Sequence, residues 1–185
     1  MVSQSKHNLA GLFLCTMLGF LAGNASAADT YELPTVVATI HPSIPASVSR
    51  LVVNVISPLG KAPIGSPVVV PPIDPGNEAW LFAADSSDNI ILASMLSSNG
   101  QGKTFTVTST AVALTRLSLG SLPSGVDAVK MDTAIKSAPE FSNLVSLINK
   151  AFAAGSPPAS YPGVALSLTT VLGQALPTAV PQAAH

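Results

Sequence analysis

Charge is scarce in this chain of 185 residues: 9% of its side chains are charged, eight basic against nine acidic, where soluble domains usually carry about 25%. So few Lys and Arg leave no cationic stripe for a phosphate backbone, which excludes nucleic-acid binding. A formal charge of -1 also excludes disorder driven by self-repulsion. Cysteine is reduced to Cys15, inside the leader described below, so the remaining chain has neither a disulfide nor a thiol nucleophile. Histidine is equally thin. Beyond the leader only His41 and His185 remain, too few for a zinc site. A serine hydrolase needs a histidine base and a G-x-S-x-G elbow, and Gly120-Ser121-Leu122-Pro123-Ser124-Gly125 has the wrong spacing.

What the chain does have begins with an address. Lys6 and His7 precede an apolar run from Leu9 to Leu21, which ends in the small residues Ala22-Gly23-Asn24-Ala25-Ser26-Ala27. The run is shorter than the ~20 residues that cross a bilayer. Ala25-Ser26-Ala27 has the A-x-A form of a cleavage site. Residues 1–27 are therefore predicted to be a secretory signal peptide, cleaved near Ala27, and the protein to be secreted or periplasmic in a bacterial cell envelope. Cys15 is no lipid-attachment site, because Leu14 stands where a small residue is required. The mature chain has no further run of spanning length, so no transmembrane span is expected.

Residues 28–108 read as strands. Six short runs rich in Val, Ile, Thr and aromatics are predicted: Thr35–Ile40, Arg50–Ile56, Pro67–Val70, Ala79–Ala84, Ile90–Leu96 and Lys103–Thr108. Turn residues separate them, among them Asp74-Pro75-Gly76-Asn77 and Asp85-Ser86-Ser87-Asp88-Asn89. Nine of the sixteen prolines fall between Pro34 and Pro75, and a proline cannot donate to a ladder, so the early strands should be edges.

After Thr108 the apolar period becomes helical. Four helices are predicted: Ser109 to Leu119; a second begun by Ser124 and Asp127 with an Asp132–Lys136 pair; a third behind a Ser137–Glu140 capping box, with Phe141, Leu144, Val145, Ile148 and Phe152 on one face; and a fourth from Gly163 to Leu176, stopped by Pro177. Residues 177–185 read as a flexible tail. The fold class expected is α+β: a small antiparallel β-sandwich over residues 34–108, followed by a helical region over 109–176 packed on it.

Few residues offer chemistry. Asp74, Asn77 and Glu78 in one turn, with Asp85, Asp88 and Asn89 in the next, are weak calcium candidates if the two turns meet. As a paired-carboxylate hydrolase the same acids would lack aromatics to hold a sugar. Gly102-Lys103-Thr104 ends a phosphate-loop pattern, but Ser97 stands where its first glycine belongs and a strand was expected to follow. Trp80, the sole tryptophan, shares its register with Phe82 and Ala84 and is predicted to anchor the core, with a ligand-facing ring as the alternative. His41 precedes Pro42 in a turn without an evident orienting partner. No catalytic residue, metal or cofactor is assigned. The expectation is a non-enzymatic structural or protein-interaction module of the envelope, whose partner is another envelope protein. Alternatives are a carrier of a small apolar ligand and, third, a hydrolase using His41.

Overall fold

The structure is a computed structural model that describes residues 32–180. The expected signal peptide, Cys15 and His185 lie outside the described residues. In chain order the elements are β1 (Thr35–Val37), β2 (Thr39–Ile40), α1 (Ala46–Ser49), β3 (Asn54–Ser57), β4 (Gly60–Pro63), β5 (Pro67–Val69), β6 (Glu78–Ala84), β7 (Ile90–Ser97) and β8 (Thr104–Phe105). The helices α2 (Val107–Leu119), α3 (Ala128–Ser137), α4 (Phe141–Ala153) and α5 (Val164–Ala179) follow, with a 3-10 turn at Pro158–Ser160 between the last two. The α+β class is as expected.

The strands pair as one four-stranded antiparallel sheet in the order β4-β3-β6-β7, an antiparallel pair β1–β5 and a parallel pair β2–β8. This pairing does not establish a six-stranded sandwich. Val55, Leu81, Leu92 and Leu96 of the sheet share one hydrophobic cluster with Val112, Met131, Ile135, Leu144, Ile148, Phe152 and Val171 of the helices. Burying those apolar groups is the main force holding the two halves together, at ~25 cal/mol per Å². Ser57 ties β3 to β5: its hydroxyl accepts from the amides of Leu59 and Gly60 at 3.1 Å and donates to the Val69 carbonyl of β5.

The junction of strand and helix lies elsewhere than the sequence pattern implied. Thr104, Thr106 and Thr108 alternate with Phe105 and Val107, which predicts a strand to Thr108, yet β8 ends at Phe105 and α2 begins at Val107. Thr106, and not Ser109, is the N-cap. Its hydroxyl accepts from the Ser109 amide at 2.8 Å, while the Ser109 hydroxyl accepts from the Thr106 amide at 3.0 Å. That reciprocal box satisfies two of the amides every helix start leaves open. The same turn reaches the outer edge of β7: the Ala93 amide donates to the Thr110 hydroxyl, and Ser109 donates to the Ala93 carbonyl.

Other boundaries shift for local reasons. Asp127 caps α3 by accepting from the Lys130 amide at 2.7 Å. Glu140 makes no capping bond with Ser137; its carboxylate accepts from Asn143 and from Ser167 of α5. Helix α5 continues through Pro177 to Ala179, so the expected stop and tail at 177 are corrected. A proline removes one helical bond, but burial of Ala179 and the Val180 amide bonded to Leu176 hold the last turn. Arg50–Val53 is a turn and an extended lead-in behind α1, and β4 was not predicted at all.

Two aspartates outside the core have pKa values lowered from the ordinary carboxylate value. Asp85 is lowered by the Asn89 side chain and amide, and Asp127 chiefly by the Lys130 amide. A depressed folded pKa contributes stability that is present above the unfolded value of 3.8 and is lost as pH falls through the lower folded value. Asp127→Ala is therefore expected to lower the melting temperature at pH 7 and to show a shallower loss than the parent as pH drops from about 4.5 towards 3. Parallel melting curves for the two proteins at low pH would refute the linkage.

Candidate functional site

A cleft of about 520 Å³ opens where the far end of the β6–β7 hairpin meets β8 and the first turns of α2 and α3. Its volume is in the ~300–1,000 Å³ range of small-molecule sites. Its lining is unusual for such a site, because eight of twenty residues bear hydroxyls: Ser94, Ser97, Ser98, Thr104, Thr106, Thr108, Ser109 and Thr133. Asn77, Asn99 and Gln101 add amides, while Met95, Val112, Ala128 and Val129 supply the apolar side chains.

Most of those hydroxyls with bonds are bound within the protein. Thr106 and Ser109 form the capping box, Ser97 donates to Asn99 at 2.6 Å, and Thr104 meets Thr39 at 3.1 Å. Ser94 differs. It is 1% exposed on β7 and its hydroxyl has no protein partner, whereas no fully buried side-chain oxygen or nitrogen among the described residues goes unpaired. The remaining accessibility of Ser94 opens onto the cleft that it lines. Through that opening the hydroxyl can bond to water or to a ligand that takes the water's place.

Close packing of backbone forms one wall. At Gly102 a Cβ would sit 1.8 Å from the Met95 carbonyl oxygen, and φ is +89°. Only glycine permits this approach. The Asn99–Gly102 loop therefore lies hard against β7 and rims the cleft.

The opposite wall carries an ion triad. Arg116 is the lone charge of α2, and its Nη1 donates to Glu78 Oε2 at 2.8 Å and to Asp132 Oδ1 at 3.0 Å. The three side chains are only 10–19% exposed. Asp132 thus bonds to another helix instead of making the expected Lys136 pair. Sequence reading missed this cluster, although a single charge in an otherwise apolar helix is itself a sign that a partner waits across the core.

The predicted candidates fall in separate places. Glu78 opens β6 and Asp85 follows its end, so the two acidic turns are about 20 Å apart at ~3.3 Å per residue. Asp85 is held by Ser87 and Asn89, and Asp88 pairs with Lys61. Asp74 accepts the Asn77 amide through its carbonyl. No group of three or more His, Cys, Asp and Glu gathers to hold a metal among the described residues. His41 is exposed, with Nδ1 accepting from the Ser43 amide at 3.1 Å and 2.8 Å from the Ser43 hydroxyl, a local turn away from the cleft. Gly102-Lys103-Thr104 leads into the short β8 before α2 starts, so the amides of α2 are capped by Thr106 and not by that tripeptide.

Trp80 is not in the core. Ala79, Leu81 and Ala83 fill the buried face of β6, and Trp80 and Phe82 stand half-buried on the other. The period of two fixes which residues share a face; it does not say which face the helices cover. The two rings stack with centroids 5.9 Å apart and planes 4° from parallel.

Comparison with protein families, with curated proteins and with solved structures gives no match, so the chemistry here is argued from the residues. The triad yields a direct expectation. Arg116→Met leaves two poorly solvated carboxylates facing each other and should cost about 2–4 kcal/mol in chemical denaturation. Adding Glu78→Gln and Asp132→Asn should recover at least about 1 kcal/mol of that loss. Strict additivity of the three substitutions would show that the triad is uncoupled.

Proposed function

We propose that this chain is an exported, non-enzymatic binding module, and that a small polar ligand rich in hydroxyls occupies the cleft beside β7. The observation that carries this reading is Ser94, a nearly buried residue whose hydroxyl has no protein partner and which lines a hydroxyl-rich cleft. Such a surface exchanges hydrogen bonds with a ligand that both donates and accepts, as an alcohol does. An apolar ligand would strip water from this lining and return nothing, so the carrier of a small apolar molecule is the weaker alternative here. The non-enzymatic reading is supported by the separation of His41 from the cleft. A protein partner in the envelope remains compatible with it. The β1–β5 pair, tied to the β3–β4 hairpin through Ser57, supports a sandwich-like reading of residues 34–108.

The ligand reading is tested by heteronuclear NMR titration of the full chain with sorbitol and with glucose. Shift changes should concentrate at Ser94, Thr106 and Thr133. Thr133→Trp, which fills the cleft from the exposed side of α3, should abolish them while changing stability by less than about 0.5 kcal/mol. Unchanged binding by that variant, or no response at Ser94, would overturn the proposal. Export rests on the composition of residues 1–27. Expressed with its own leader in a bacterial host, the protein should leave the cytoplasm with Ala28 at its N-terminus; retention inside with Met1 intact would refute it.

A further inference from the structure

The cleft does not end at β7. A second hollow of about 250 Å³ adjoins it, walled by Trp80, Met95, Glu78, Arg116 and Leu122, and Glu78 and Met95 face both spaces. Resting on the cleft reading above, we infer that this hollow is a subsite for a neutral sugar ring, with Trp80 as its stacking platform.

The argument starts from the row Glu78, Trp80, Phe82 on one face of β6. Neighbours in such a row are ~6.6 Å apart along the strand. Phe82 stacks on one side of the indole, nearly parallel to it. The same indole also lines the hollow, next to Glu78 and Met95. The hollow's wall thus combines an aromatic ring with a bonded carboxylate–guanidinium pair. A pyranose ring has the matching asymmetry: a C–H face that lies flat on an aromatic ring, and a rim of hydroxyls that both donate and accept.

Charge selects a neutral ligand. Glu78 and Asp132 both bond to Arg116, and with Lys136 in the cleft wall the formal charges around the two hollows sum to zero. No charge is left over to favour an ion, and the carboxylate and guanidinium offer directional bonds only. The scarcity of aromatics, which speaks against a sugar-binding surface in the sequence, is offset by the placing of the one tryptophan in the hollow that adjoins the cleft. A ligand reaching from one to the other would be an oligosaccharide, with hydroxyls in the cleft and one ring on Trp80.

The sole tryptophan makes the test direct. The full chain is titrated with triacetylchitotriose, maltotriose, sorbitol and choline, following indole emission, acrylamide quenching and calorimetric affinity. At least one trisaccharide should bind, shift the emission and shield the indole. Trp80→Ala should weaken that trisaccharide about tenfold or more, whereas Trp80→Phe should lose less than about threefold. Sorbitol, which has hydroxyls but no ring, should bind both variants as it binds the parent. A trisaccharide held equally well by Trp80→Ala, or one that leaves the emission unmoved, would overturn the subsite and leave the cleft reading intact. Choline in place of sugar would overturn it too, in favour of cation–π recognition. Failure of sorbitol and both trisaccharides would remove the cleft reading itself. Should Trp80→Ala fail to fold by circular dichroism, the parent's emission and the Trp80→Phe affinity decide.

Discussion

Everything C-terminal to the sheet depends on one turn. Between Phe105 and Thr110 the chain stops being a strand and becomes a helix, and three hydroxyls settle where that happens. Thr106 and Ser109 close the first turn of α2 on itself, and Ser109 and Thr110 fasten it to Ala93 of β7. Because α2 is fixed to the sheet by its first turn, its buried residues Ala111, Val112 and Thr115 meet the core in one register. Helices α4 and α5 then assemble on α2, and α3 reaches it through the triad.

The cleft is a by-product of the same arrangement. A helix start pinned to a strand edge cannot pack flush against the loop beyond that strand, and the space left over is lined by the small hydroxylated residues that caps and tight turns prefer. Its polarity has a structural origin first. Ser94 is what goes further, since no cap, turn or strand bond uses its side-chain hydroxyl. The triad on the facing wall holds α2, α3 and the start of β6 together, so the walls of the cleft are also its braces.

The parts legible in the sequence were those with long-range order in the chain itself. Helix α4 was visible because Leu144, Ile148 and Phe152 recur at helical spacing and are all buried, with Phe141 and Val145 packed beside them. The β6–β7 hairpin was visible from its length and its Asp–Asn turn. Strand β4 was not, because Gly60-Lys61-Ala62-Pro63 has no β-branched side chain and exists only as the partner of β3. The start of α2 was misplaced because alternation of Thr with Phe105 and Val107 satisfies a strand as well as a helix start. At the site, hydroxyl and amide residues from four elements converge without any shared spacing, and the Arg116 contacts join residues 38 and 16 positions apart. Trp80 was assigned to the wrong face because alternation has two solutions and only packing chooses between them.

One consequence of the fastened helix concerns assembly. A β-sheet adds strands at its two borders, and endless stacking of copies requires both to be available. In this sheet the border along β7 is occupied by side chains of α2 at Ala93, while β4 pairs only with β3 and bears Lys61 and Pro63. Through those hydroxyls, the turn that sets the helical half in place also occupies the backbone groups with which β7 would accept a further strand at Ala93.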